Sequence, residues 1–128
     1  MGRWSDLQPD VQACLEEVVS AIAGPDHVYA FLTVGFEKNL PAVHVDVSQS
    51  EEFPLATHTA SIAVYDKDTT SARRLIRAVL AYFTLGQHQT SAGLIDRVQV
   101  DIPARQQPYA DPHIALYTAT VRIDTRAT

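Results

Sequence analysis

Apolar residues recur along this chain with two periods, and the changes of period mark out its elements. From Leu7 the spacing is helical, with Leu7, Val11, Cys14, Leu15, Val18 and Ile22 on one side and Gln12, Glu16 and Glu17 on the other. This predicts an amphipathic helix capped by Ser5 or Asp6, with Pro9 in the first turn, where a missing amide does least harm, and Gly24-Pro25 as its stop. Next, "HVYAFLTVGF" is dense in aromatic and β-branched residues and predicts a strand covered on both faces. In "AVHVDVSQ" the period is two: Val43, Val45 and Val47 face one way, and His44, Asp46 and Ser48 the other, as in a half-buried strand. The same alternation in "THTASIAVYD" sets Ala60, Ile62 and Val64 against Thr59, Ser61, Ala63 and Tyr65. Between these two strands, "SQSEEFPLA" is polar except for Phe53 and Leu55.

The sharpest helical stripe lies in "DKDTTSARRLIRAVLAYFTLG", where Ala72, Leu75, Ile76, Val79, Leu80 and Phe83 form one continuous apolar face. Asp68, Thr69 or Thr70 can cap this helix, and Gly86 can take the left-handed conformation that ends it. Its large apolar side chains would each contribute roughly 1.5 to 3 kcal/mol on burial before entropy is subtracted, so the helix should anchor the core. Arg73, Arg74 and Arg77 lie on the opposite face, which reads either as solvated or as a ridge for a partner.

The chain then returns to period two. In "RVQVDI", Val98, Val100 and Ile102 alternate with Gln99 and Asp101; in "IALYTATVRIDTR", Tyr117, Ala119, Val121 and Ile123 oppose Thr118, Thr120, Arg122 and Asp124. The whole pattern predicts a single α+β domain spanning residues 1–128, in the order α-β-β-β-α-β-β. Its sheet, antiparallel or mixed, should have four to five strands, with two helices packed on one face.

One connection does not suit a simple hairpin. The run from Pro103 to His113 is eleven residues long, against about 2 to 5 for the usual hairpin loop. Pro103, Pro108 and Pro112 restrict its backbone and lower the ordering cost of a contact, and Arg105 and Tyr109 are types that anchor interfaces. Arg105, Gln106, Gln107, Pro108 and Tyr109 are therefore candidate interface residues, a mobile loop without a partner being the alternative. Phe53 and Leu55 form a second candidate contact, unless they pack under their own hairpin, and Arg73 and Arg77 a third.

Composition narrows the function. With 46% apolar and 20% charged residues the chain is ordinarily globular, and a net charge of -5 argues against sequence-independent binding to nucleic acid, which needs many cations against phosphates. The one cysteine, Cys14, lies on the apolar stripe and reads as a buried structural thiol. No signal-peptide layout and no membrane-spanning apolar run is expected, which suggests a soluble protein of a reducing compartment.

Chemistry is sparse. None of the five histidines, His27, His44, His58, His88 and His113, has the spacing that puts two ligands on one helix face. His44 and Asp46 share a strand face that His58 could join, but a polar sheet face explains them as well as a metal does. Asp66 and Asp68 read as turn and cap residues, not as a carboxylate pair. With no phosphate loop, no cysteine pair and no nucleophile with its base, the expectation is no catalytic, cofactor-binding or metal residues, and a structural or interaction role.

Two segments carry a family resemblance: "LPAVHVDVSQSEEFPLATHTASIAVYDKDTTSARRLIRAVLAYF" and "LIDRVQVDIPARQQPYADPHIALYTATVRIDTR". A strand opening after a proline, a polar hairpin, a strand running through an acidic turn into an Ala- and Arg-rich helix, and two strands around a long loop resemble the tail terminator proteins of long-tailed bacteriophages. The resemblance covers Leu40 to the C-terminus, and the first helix agrees in type and place. It implies a virion protein of tail and neck, assembled in the host cytoplasm. Copies would form a ring, typically a hexamer, that caps the tail tube, ends tail polymerisation and joins the tail to the head-to-tail stopper or connector. No reaction, cofactor or membrane is involved, and DNA passes through without specific binding, which mild acidity suits. The alternatives are another neck component, such as a stopper or completion protein, a small ligand-binding or enzyme domain outside phage, and a host-encoded dimeric interaction module.

Overall fold

The computed structural model describes residues 10–51 and 56–125. Helix α1, Val11–Ala23, is capped by Asp10, whose carboxylate accepts from the Ala13 amide at 3.2 Å, and it ends at Gly24, which takes a φ of 93°. The expected caps Ser5 and Asp6, with Leu7 and Pro9, lie outside the described residues. Val11, Cys14, Leu15, Val18 and Val19 are buried. Ile22 is 37% exposed, so the stripe stops one turn short of its expected end.

Among the described residues six strands follow in one sheet: β1 (Val28–Tyr29), β2 (Ala42–Glu51), β3 (Ala56–Asp66), β4 (His88–Thr90), β5 (Gly93–Gln107) and β6 (Ala115–Thr125). Helix α2, Thr69–Phe83, lies between β3 and β4. The spatial order is β1-β2-β3-β6-β5-β4. The β1–β2 pair is parallel and the other pairs are antiparallel, so the sheet is mixed. This is the expected α+β architecture with one strand more than the four to five anticipated. The addition is β4, three residues that pair with Gly93, Leu94 and Ile95 through a tight turn at Ser91-Ala92.

Register fixes which side of the sheet each residue occupies. Val43, Val64 and Tyr117 form one row, Val45, Ile62 and Ala119 the next, and His58, Ile123 and Val98 another, all on the buried face. Against them pack Cys14, Leu15 and Val19 from α1 and Ala72, Ile76, Val79 and Phe83 from α2. Asp68 is the α2 cap, accepting from the Ser71 amide at 2.7 Å. The helix ends when the Thr84 amide donates to the Leu80 carbonyl, and Gly86, at φ 138°, lies two residues beyond that cap.

Two expected strands differ from the pattern. The segment "HVYAFLTVGF" forms only the two-residue β1: Gly35 takes a left-handed φ of 86°, Phe36–Asn39 winds into a 3-10 turn, and the chain leaves the sheet. Phe31 is 84% exposed and Val34 fully so, the reverse of a strand covered on both faces. Strand β5 is much longer than "RVQVDI" and absorbs half of the supposed loop. Irregularities between Val100 and Ile102, and between Ile102 and Arg105, shift its register. Val100 sits opposite Val121 on the core side and Ile102 opposite Thr120 on the outer side, so the two do not share a face.

One side chain completes an edge. Beyond Val43 and His44, no strand among the described residues pairs with the far side of β2. There the Gln12 amide of α1 acts as a substitute peptide, donating to the Val45 carbonyl at 2.6 Å and accepting from the Val47 amide at 3.0 Å.

Candidate assembly surface

The β5–β6 connection is shorter and better anchored than its sequence suggests. Arg105, Gln106 and Gln107 belong to β5 and pair with Thr118, Tyr117 and Leu116. Only Pro108 to Ile114 bridges the strands. Arg105 lies exposed on the outer face, and the Gln106 amide reaches the Thr69 hydroxyl at 3.4 Å, tying β5 to the start of α2.

Tyr109 turns inward. Its ring meets Tyr65 edge-on, with centroids 5.4 Å apart at 73°, and Tyr65 meets Phe36 at 5.1 Å and 68°. This three-ring ladder covers one end of the outer sheet face and joins the loop, β3 and the 3-10 turn. Burial raises the Tyr65 phenol above its ordinary pKa, and Tyr109 adds to the effect. The loop is therefore a packed cap, and Tyr109 serves as its anchor within the subunit. Pro108 and Ala110 remain on the surface.

Elsewhere the outer face is mainly polar, Ile102 excepted. Asp46, Ser61 and Thr120 form one row, and Thr57, Asp124 and Arg97 another. Arg97 pairs with Asp124 at 3.1 Å, and Arg122 donates to Gln99 at 2.7 Å. His44 lies on this face and is bonded through Nε2 to the Ala30 carbonyl at 2.9 Å, whereas His58 is buried on the opposite face. The suggested trio of His44, Asp46 and His58 is thus divided by the sheet, and no metal-binding cluster occurs among the described residues.

On α2, Arg73 and Arg77 emerge on the side of the helix turned away from the sheet, as expected. With Thr70 and Arg74 they line a shallow recess of about 200 Å³. Phe53 and Leu55, the other candidate contact, lie outside the described residues.

A larger recess, about 360 Å³, opens between α1, the end of α2 and β4. Sequence reading missed it because its polar groups come from three distant segments. The Glu17 carboxylate accepts from the Ser91 amide at 2.8 Å and its hydroxyl at 2.9 Å, and these bonds, the backbone one first, lower its pKa. His88 Nε2 bonds the Phe83 carbonyl at 3.0 Å while its ring lies 5.0 Å from that of Tyr82. These groups hold the β4 turn against the two helices. Cys14 is buried with the Thr90 hydroxyl 3.1 Å from its Sγ, and burial raises its pKa, as expected of a structural thiol. Among the described residues no helix is long and apolar enough to cross a membrane.

No family model and no curated protein matches the chain. Among solved structures, the chain is similar to one in the virion of a native gene transfer agent (GTA) particle. The TM-score is 0.63 at 15% identity, over 90% of this chain and 93% of that one. At this identity the likeness is one of fold, and it extends along nearly the whole of both chains.

Proposed function

We propose that the protein is a non-enzymatic structural component of a phage-like virion. In this reading it forms a ring that caps the tail tube, ends tail polymerisation and joins the tail to the head connector. The observation that carries the proposal is the end-to-end likeness of fold to a chain of a gene transfer agent virion. The arrangement of polar groups supports it: Glu17, His88 and Gln106 are spent on holding elements of the subunit together. The partners in this reading are further copies of the chain, a hexamer by the family resemblance, together with the tail tube protein and the head-to-tail stopper. DNA crosses the ring without specific contact, in keeping with a net charge of -5. A ring with a strongly basic lumen would contradict this last point.

A stopper or completion protein of the same neck is the second reading, since likeness to a virion chain favours it equally. A tube-growth assay separates the two. A terminator added to polymerising tail tubes halts elongation at substoichiometric amounts; a stopper leaves growth unchanged and binds only finished tails.

A further inference from the structure

The sheet ends differently on its two sides, and each end lacks what the other offers. At one edge, the chain leaves β1 through Ala30–Val34, a segment whose aromatic and β-branched composition suits a strand yet which, among the described residues, has no strand partner beyond Tyr29. It is held at both ends, by the bond from His44 to the Ala30 carbonyl and by the edge-on contact of Phe36 with Tyr65. Phe31 and Val34 project from between these anchors into solvent.

At the opposite edge, β4 covers β5 only from Gly93 to Ile95, and among the described residues no strand pairs with the outer side of β5 from Arg97 to Gln107. Arg97, Asp101, Pro103, Arg105 and the register shifts guard this edge against indiscriminate pairing. The stretch from Arg97 to Val100 stays regular against β6. At the end of that stretch Val100 is 40% exposed, and past the next irregularity Ile102 is 43% exposed, on the opposite face of the strand.

We propose that Ala30–Val34 of one copy adds as a strand to the free edge of β5 in the next copy, making the sheets continuous around the assembly. Residues three apart in a strand point to opposite faces, so Phe31 and Val34 would straddle that edge and meet Val100 and Ile102, one on each side. The two patches are different surfaces at opposite edges of one sheet, an arrangement that suits the head-to-tail interface of a ring. This inference rests on the ring reading and supplies its contact.

The test uses the full chain on tail tubes and in solution. Phe31→Asp removes the apolar knob and Thr33→Pro removes a strand donor, both at exposed positions where circular dichroism should report an intact fold. Each should weaken ring formation about tenfold or more. Val34→Cys protein mixed with Asp101→Cys protein should be joined between copies by a short bismaleimide. Rings that form normally with Phe31→Asp and Thr33→Pro, and give no Val34–Asp101 cross-link, would overturn this contact while leaving the ring intact. If the unaltered protein forms no ring on tubes or off them, the ring reading itself fails, and this contact with it.

Discussion

Replacing Tyr109 by alanine distinguishes a packed cap from a free arm. As built, Tyr109 makes one edge-to-face pair with Tyr65 at 5.4 Å and is half-buried. Such a pair is worth about 0.5 to 1.5 kcal/mol beyond area burial, and the half-covered ring adds roughly 1 kcal/mol. The expected loss is about 2 kcal/mol, read as a fall in Cm at constant m in urea unfolding. For a domain of this size that corresponds to a drop in Tm of roughly 6 to 10 °C. Tyr109→Phe keeps the ring and should stay near the original stability. A Tyr65/Tyr109 double-mutant cycle should return a coupling of about 1 kcal/mol. Because Tyr109 contributes to the raised pKa of Tyr65, the alanine variant should also ionise Tyr65 at lower pH, visible in the phenolate absorbance. Unchanged stability together with zero coupling would refute the ladder and return Tyr109 to a free surface loop.

Four further outcomes follow from the same geometry. Gln12→Ala strips the edge of β2 of its substitute peptide and leaves a part-buried donor and acceptor unpaired, at about 1 to 3 kcal/mol, with hydrogen exchange fastest at Val47. Ile76→Ala, at a fully buried site against the sheet, should cost about 2 to 5 kcal/mol in denaturant unfolding, where an exposed position such as Ala78 should tolerate polar substitution. Glu17 and Asp68 have lowered folded-state pKa values, so their contribution is present above the unfolded value near 4 and is lost as pH falls through the folded value. Glu17→Gln should flatten the acid limb of the stability profile. Tyr65, shifted upward, acts in the opposite direction: its contribution is intact below about 10 and declines as pH rises toward its folded value.

Where the hydrophobic period was long and clean, the sequence was a sufficient guide. The α2 stripe and the alternation in β2, β3 and β6 emerge with the predicted faces, because burial of one side fixes register. The signal failed where partners distant in sequence decide. A strand-like composition in Ala30–Val34 could not reveal that no strand among the described residues pairs with it, and the prolines of the β5–β6 connection could not reveal that β5 continues past Pro103 to Gln107. Residue type alone points to Tyr109 as an anchor; its target, Tyr65, is 44 residues earlier in the chain and only topology brings the two together. Gln12, on the polar side of the α1 wheel, gave no sign that it completes a sheet edge.

The central claim is that copies of this chain close into a ring at the end of a tail tube. Electron microscopy of the purified protein mixed with tail tubes tests it most directly. The account predicts ring density confined to one end of each tube, with sheets running on from copy to copy. Tubes with bare ends, or protein spread along their sides, would contradict it.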